Sequence, residues 1–271
     1  MNENLPIKDK MAVILHGIVG GMDGRNGMGS PANISDCSKT IKYNVLSAYD
    51  CDVFIHSWSI NHSEEIMSLY NPTASLFQPQ EFFNFSESQR THDTIPGQPY
   101  RSVSRFTSLE RSLLLKRNYE ESNGFKYKWV FAIRFDLVFF NKIDLSKYDP
   151  QHIHICLDPY WGQENFTLLH DILFLSNSDM MNNFIGFPSE LLNKTYDPID
   201  IHHAVSQKIF KMVNNERSMI EKSFKRYEDV EIYRLVMRPE LNDPTGHPLG
   251  SLATTGRFYE LMKKINKENN G

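Results

Sequence analysis

The chain has 271 residues, of which 40% are hydrophobic and 23% are charged, values typical of a globular protein that buries a full core. Its formal net charge of −4 gives no overall basic field for nucleic acid or an acidic membrane, so neither is an expected partner. The three cysteines, Cys37, Cys51 and Cys156, form no C-x-x-C pair. This pattern argues against a disulfide framework or zinc cage and favours a reducing, cytoplasmic location.

The apolar run at residues 11–15 has two interpretations. It follows Lys8 and Lys10 and so resembles the start of a signal peptide, but His16 and several glycines interrupt it and no clean cleavage site follows. We therefore expect a first core strand. No stretch approaches the roughly 18 apolar residues of a membrane span, so a transmembrane segment is not expected.

Short apolar runs alternate with helical patterns along the chain. Strands are predicted at 11–15, 51–56, 74–77, 129–139, 152–157, 172–175 and 231–237, and helices at 35–49, 107–123, 178–184, 199–226 and 257–265. The capping-box pattern Thr107-Ser-Leu-Glu110 predicts where the second helix begins. Residues 80–103 and the Gly/Pro-rich stretch 239–250 are predicted to be loops.

This alternation predicts an α/β protein with a mostly parallel central sheet. We expect one domain over 1–271, with a nucleotide-binding half at about 11–140 and an acceptor-side half at about 141–271. In such sheets ligands bind outside the carboxyl ends of the strands, so polar residues at those ends are the candidates for function.

Arg134 and Asp136 are the first candidates, because they interrupt the most apolar strand and are two residues apart, on one face. The carboxylate would suit a divalent cation and the arginine a phosphate. The alternative is a purely structural ion pair. The metal candidates are Asp136 and His247, although a loop histidine such as His247 is more often a surface residue.

Other candidates for nucleotide contact follow the first two strands. His16 and Gly17 end the first strand before a glycine-rich loop that contains Arg25, and His56 and Trp58 end the second. Glycine lets backbone amides approach an anion, although the loop matches neither a P-loop nor a dinucleotide fingerprint. The loop could equally be a plain turn, and Trp58 a core residue.

Three more polar residues complete the candidate list. Arg105 lies at the predicted helix entry, where a phosphate would also be stabilised by the helix dipole. Asp158 and Asp171 adjoin later strands and could serve as a catalytic base, although structural capping explains Asp171 equally well. Arg111 is expected on a solvated helix face.

Four segments together resemble a known group of proteins. They are Ala12-Val-Ile-Leu-His-Gly17, Asp52-Val-Phe-Ile-His-Ser-Trp58, Ser104-Arg-Phe-Thr-Ser108 and Trp129-Val-Phe-Ala-Ile-Arg-Phe-Asp-Leu-Val-Phe139. The combination resembles the nucleotide-sugar-transferase-like proteins of bacterial and viral polysaccharide synthesis, including the WavE-like lipopolysaccharide proteins, over about residues 11–185.

The resemblance implies a GT-A-like three-layer sandwich and transfer of a sugar from a nucleoside-diphosphate sugar to a glycan acceptor. It also implies a divalent metal, Mn²⁺ or Mg²⁺, held by a D-x-D motif that falls on Arg134-Phe135-Asp136. Arginine replaces the first acid there, so Asp136 would hold the ion alone or Arg134 would partly replace it. Two alternatives stay open: a sulfate or phosphate transferase, and a degenerate domain that binds sugar or protein without catalysis.

Overall fold

A computed structural model describes residues 5–19, 33–83, 98–157, 169, 171–193, 195–196, 201–226, 228–232 and 252–269. The strands are β1 (Ile7–Gly17), β2 (Cys51–Ser57), β3 (Ala74–Phe77), β4 (Lys126–Arg134), β5 (Leu137–Phe139), β6 (Ile153–Leu157), β7 (Leu173–Ser176), β8 (Ile220–Lys225) and β9 (Val230–Ile232). The α-helices are α1 (Ile34–Asn44), α2 (Ser63–Tyr70), α3 (Gln98–Asn123), α4 (Ser178–Asn182), α5 (Phe187–Leu192), α6 (Ile201–Met212) and α7 (Leu252–Asn269).

Seven strands form the central sheet in the order β3-β2-β1-β4-β7-β6-β8. All pair in parallel except β7, which is antiparallel to both β4 and β6. Strands β5 and β9 form a separate antiparallel pair. The predicted α/β class and the mostly parallel sheet are therefore confirmed.

Helices cover both faces of this sheet, which makes the fold a three-layer sandwich. Alternate residues of β1 point to opposite faces: Met11, Val13 and Leu15 pack with α1 and α2. Ala12 and Ile14 pack under α3, in a core that α4, α5 and α6 complete. Helix α7 packs outside α1 through Phe258.

The start predicted for the helix over 107–123 was wrong. Helix α3 begins at Gln98, inside the stretch expected to be a loop. Pro99 fits there because a helix makes no use of the N–H groups in its first turn. Thr107 lies within the helix, and its hydroxyl donates to the carbonyl of Val103 over 2.8 Å. The capping-box pattern was therefore internal.

Two further predictions need correction. The apolar run 129–139 is not one strand, since it turns at Phe135 and Asp136 and leaves the central sheet after Arg134. The helix predicted over 199–226 ends at Met212, because Asn214 and Asn215 adopt left-handed backbone angles. Residues 220–225 are instead β8, which pairs with β6.

Some predictions fall wholly or partly outside the described residues, including the glycine-rich loop beyond Val19, strand residues 233–237 and the stretch 239–250. Among the residues that are described, no helix combines the length and apolar character needed to cross a membrane.

Candidate functional site

Three polar side chains form a row across the carboxyl ends of neighbouring parallel strands. His16 of β1 is the register partner of His56 on β2 and of Arg134 on β4. The apolar residues two positions before them, Ile14, Phe54 and Ala132, lie in the core beneath α3. Because side chains alternate along a strand, the three side chains of the row point to the face of the sheet that α3 covers.

Helix α3 closes over this row with Ser108, a residue that the sequence reasoning quoted but assigned no role. The Ser108 hydroxyl lies 2.7 Å from the His56 Nδ1 atom and 2.7 Å from the Gly17 amide nitrogen. It also donates to the His56 carbonyl over 3.1 Å. One buried hydroxyl thus joins α3 to the ends of both β1 and β2.

Gly17 turns the chain away from the sheet. Its φ of +108° is in the region that favours glycine. Its carbonyl accepts hydrogen bonds from the Trp58 amide at 3.2 Å and the Ser57 hydroxyl at 2.9 Å. The turn is therefore fixed by both β2 and α3, and its amide is already used by Ser108.

The two histidines are held neutral. Burial and the nearby Arg111 cation lower the pKa of His56 to about 3. Burial, followed by the Arg105 and Arg134 cations, lowers the pKa of His16 well below its ordinary value. With the Ser108 proton directed at the His56 carbonyl, His56 Nδ1 carries the proton that Ser108 accepts.

The Nδ1 atom of His16 has a different environment. It is buried and has no hydrogen-bond partner among the described residues. A buried polar nitrogen in this state is costly unless a ligand or water completes it.

Arg105 reaches the same end of the sheet from α3. Its Nη1 donates to an Asp171 oxygen, while Nε and Nη2 are buried with no acceptor in the described parts of the chain. Burial lowers the pKa of Arg105 to about 10, against the opposing effect of Asp171, so it stays charged at neutral pH. The other Asp171 oxygen lies 3.9 Å from His202 Nδ1. Arg105 and Asp171 are thus brought together at the site.

Arg134 and Asp136 form a forked ion pair at the end of β4. Arg134 Nε donates to Asp136 Oδ1 over 2.8 Å and Nη2 donates to Oδ2. Burial opposes the charge on Arg134, but the carboxylate more than offsets this and raises its pKa. The two side chains are 26% and 19% exposed, so the pair is open to solvent in part.

Trp58 is buried at this edge of the sheet, in agreement with the alternative that it is a core residue. Its indole N–H donates to the Ser104 carbonyl over 3.2 Å. The Arg111 guanidinium lies 5.0 Å from the ring centre and the His56 ring packs edge-on at 4.6 Å. Arg111 also pairs with Glu81, so it is not the solvated residue that was expected. Trp58 therefore packs against His56 and Arg111 and helps to hold them in place.

Of the two expected metal ligands, Asp136 lies among the described residues and His247 does not. No group of three or more His, Cys, Asp or Glu side chains there lies close enough together to hold a metal ion. Both oxygens of Asp136 accept from Arg134. Arg134 is therefore the cation that neutralises Asp136 in this arrangement. Asp158, Arg25 and His247 lie outside the described residues.

Two site residues were missed because their signals are weak. Ser108 lies three residues after Arg105, so helical spacing alone places the two on one face. His202 comes near Asp171 only through the packing of α6, and nothing in the local sequence indicates that contact.

Comparison of the chain with protein-family models gave no match, and comparison with curated protein sequences gave no significant match.

Proposed function

We propose that the chain is a glycosyltransferase that moves a sugar from a nucleoside-diphosphate sugar to a glycan acceptor in surface polysaccharide synthesis. Two things support this: the four segments that resemble nucleotide-sugar transferases, and an α/β sandwich with polar residues at the carboxyl ends of its strands. We also propose a cytoplasmic location, which the cysteine pattern favours.

The observation that carries the proposal is the convergence of Arg105 and Arg134 on one end of the sheet, with His16 in the row beside Arg134. When the bond between sugar and diphosphate breaks, negative charge develops on the leaving group. Pre-organised cations stabilise that charge in a partly dry site. In this proposal Arg105 and Arg134 are the cations that stabilise the leaving diphosphate.

Asp171 is the proposed base for an inverting reaction. The acceptor hydroxyl would form a bond to the anomeric carbon as the diphosphate leaves, and its proton would pass to an Asp171 oxygen. Arg105 holds one oxygen of this carboxylate, which fixes its orientation. A retaining reaction would not need Asp171 in this role, and Asp158 stays a second candidate base.

A second candidate is a domain that binds sugar nucleotides or another anion without catalysis. It is favoured by one observation, that Asp136 and Asp171 are each already bound by an arginine. This candidate predicts binding of nucleotides without turnover.

The test is nucleotide release from UDP-, GDP- and CMP-sugars, with water as the default acceptor. We expect release from a UDP- or GDP-sugar, and a loss of roughly 100-fold in Arg134→Gln. Lys128→Gln is the matched control, since Lys128 lies on the same strand away from its carboxyl end and pairs with exposed Asp9. Binding without release would favour the second candidate, and neither binding nor release would contradict both.

A further inference from the structure

We infer that Arg105 and Arg134 bind the diphosphate of the nucleotide directly, with His16 as a third contact and without a divalent cation. This inference rests on the proposed function and makes it more specific, because the metal implied by the resemblance is replaced by side chains of this chain.

The Arg105 guanidinium has more donors than its carboxylate partner accepts. A guanidinium carries five N–H donors in a fixed fork, and Asp171 takes only Nη1. Nε and Nη2 are buried and have no acceptor among the described residues. Two such donors on one buried cation suit an anionic ligand with several oxygens, and phosphate has the matching geometry.

His16 lies near both arginines and is almost completely buried. Its Nδ1 also has no partner within the described residues, and both arginine cations are close enough to disfavour its protonation. A neutral imidazole nitrogen between two arginines can make one hydrogen bond to a ligand held by both. Two adjacent groups therefore lack partners at the same place.

The carboxylates of Asp136 and Asp171 are each paired with an arginine. A magnesium or manganese ion shared with a diphosphate is usually held by one or two carboxylates. Both oxygens of Asp136 are engaged by Arg134. Arg134 nevertheless uses only Nε and one Nη2 donor in that fork, so its remaining N–H groups are available to a phosphate.

The experiment is calorimetric titration of the full chain with UDP, GDP, CDP, ADP and inorganic pyrophosphate. Each titration is run once with EDTA and once with Mn²⁺. We expect at least one nucleoside diphosphate to bind in EDTA, with an affinity that Mn²⁺ changes by less than about twofold. Pyrophosphate is expected to bind more weakly at the same site and to compete with the nucleotide.

Variants of Arg105 test whether the anion binds at this side chain. Arg105→Gln should lower the affinity for the nucleotide by about 10- to 100-fold in EDTA. Since this change also removes the Asp171 contact, the double variant Arg105→Gln, Asp171→Asn removes both charges together and should show the same loss. Arg117→Gln is the matched control, about 18 Å along the same helix. Melting curves check that each variant is folded.

The outcomes separate this inference from the proposed function. Binding that needs Mn²⁺ would overturn the inference while leaving a nucleotide-dependent enzyme. Binding in EDTA that Arg105→Gln leaves intact would also overturn it. No binding of any nucleotide, with or without Mn²⁺, would overturn the inference and the proposed function together.

Discussion

The Nδ1 atom of His56 lies 2.7 Å from the hydroxyl oxygen of Ser108, and this contact joins the end of β2 to the middle of α3. Ser108 also accepts from the Gly17 amide. Removing the hydroxyl would therefore leave two donors without their acceptor in a buried place. A buried donor in that state costs about 1–3 kcal/mol.

We accordingly expect Ser108→Ala to lower the free energy of unfolding by about 2–4 kcal/mol, measured by urea denaturation. Ser112→Ala is the control on the same helix. Ser112 is equally buried, but its hydroxyl only donates, to the carbonyls of Leu15 and Ser108. Its loss should be about 1 kcal/mol or less. Equal losses in the two variants would show that the contacts with Gly17 and His56 add nothing.

Gly17 gives a prediction about backbone conformation. Its φ is +108°, and a Cβ added there would meet nothing within 4 Å, so the cost of Gly17→Ala is strain and not a clash. We expect a loss of about 1–3 kcal/mol. Gly256→Ala, in α7 at an ordinary helical φ, also has open space and should gain up to about 1 kcal/mol. Thermal melts of both variants measure the difference, and a neutral Gly17→Ala would contradict the strain.

Much of the fold follows from local sequence. The apolar runs that end at His16 and His56 are buried strands, and their parallel pairing places both histidines at one end of the sheet. Strand β4, with apolar residues on both faces, lies in the middle of the sheet. These elements are predictable because burial on both faces imposes the same pattern wherever the strand pairs.

The features that the sequence did not predict depend on contacts between distant parts of the chain. Strand β8 has a mixed pattern, Ile-Glu-Lys-Ser-Phe-Lys, and is a strand because β6 is beside it. The pairing of Arg105 with Asp171 joins residues 66 positions apart, which no spacing rule predicts. The ion pair of Arg134 with Asp136, by contrast, joins residues two positions apart, so the sequence offered it as an alternative, although the chain turns at Asp136 and does not continue the strand.

The buried network around Lys116 gives a stability prediction outside the site. Its ammonium is fully buried and donates to Glu120 at 2.8 Å, to Asn182 at 3.0 Å and to Ser178. Lys116→Met would leave the Glu120 carboxylate buried without its cation, and we expect a loss of about 3–5 kcal/mol. In Lys116→Met with Glu120→Gln, part of this loss should be recovered.

The control for that network is Lys263→Met, which breaks an exposed pair with Glu260 at 2.6 Å. Such pairs contribute at most about 1 kcal/mol. If the Lys116 and Lys263 variants lost the same stability in urea denaturation, the buried network would not stabilise the packing of α3 against α4.

The neutral histidines determine how stability should respond to acid. The pKa of His56 is about 3 in the folded protein and about 6.5 in an unfolded chain. Between pH 3 and pH 6.5 the unfolded chain binds a proton at His56 and the folded protein does not. The stability that neutral His56 contributes is therefore fully present above pH 6.5 and is lost as the pH falls toward 3. His16 shifts in the same direction.

Below pH 6, each histidine should therefore lower the free energy of unfolding by at most about 1.4 kcal/mol for each pH unit of acidification. The difference between the wild type and His56→Gln, measured by urea denaturation from pH 7 to pH 4, isolates one of them from the carboxylates that titrate in the same range. The slope should be shallower in His56→Gln, whatever its stability at pH 7. His62→Gln, at a partly exposed histidine paired with Glu65, is the control for replacing a histidine outside the core. A His56→Gln slope equal to that of the wild type would mean that His56 accepts a proton while the protein stays folded.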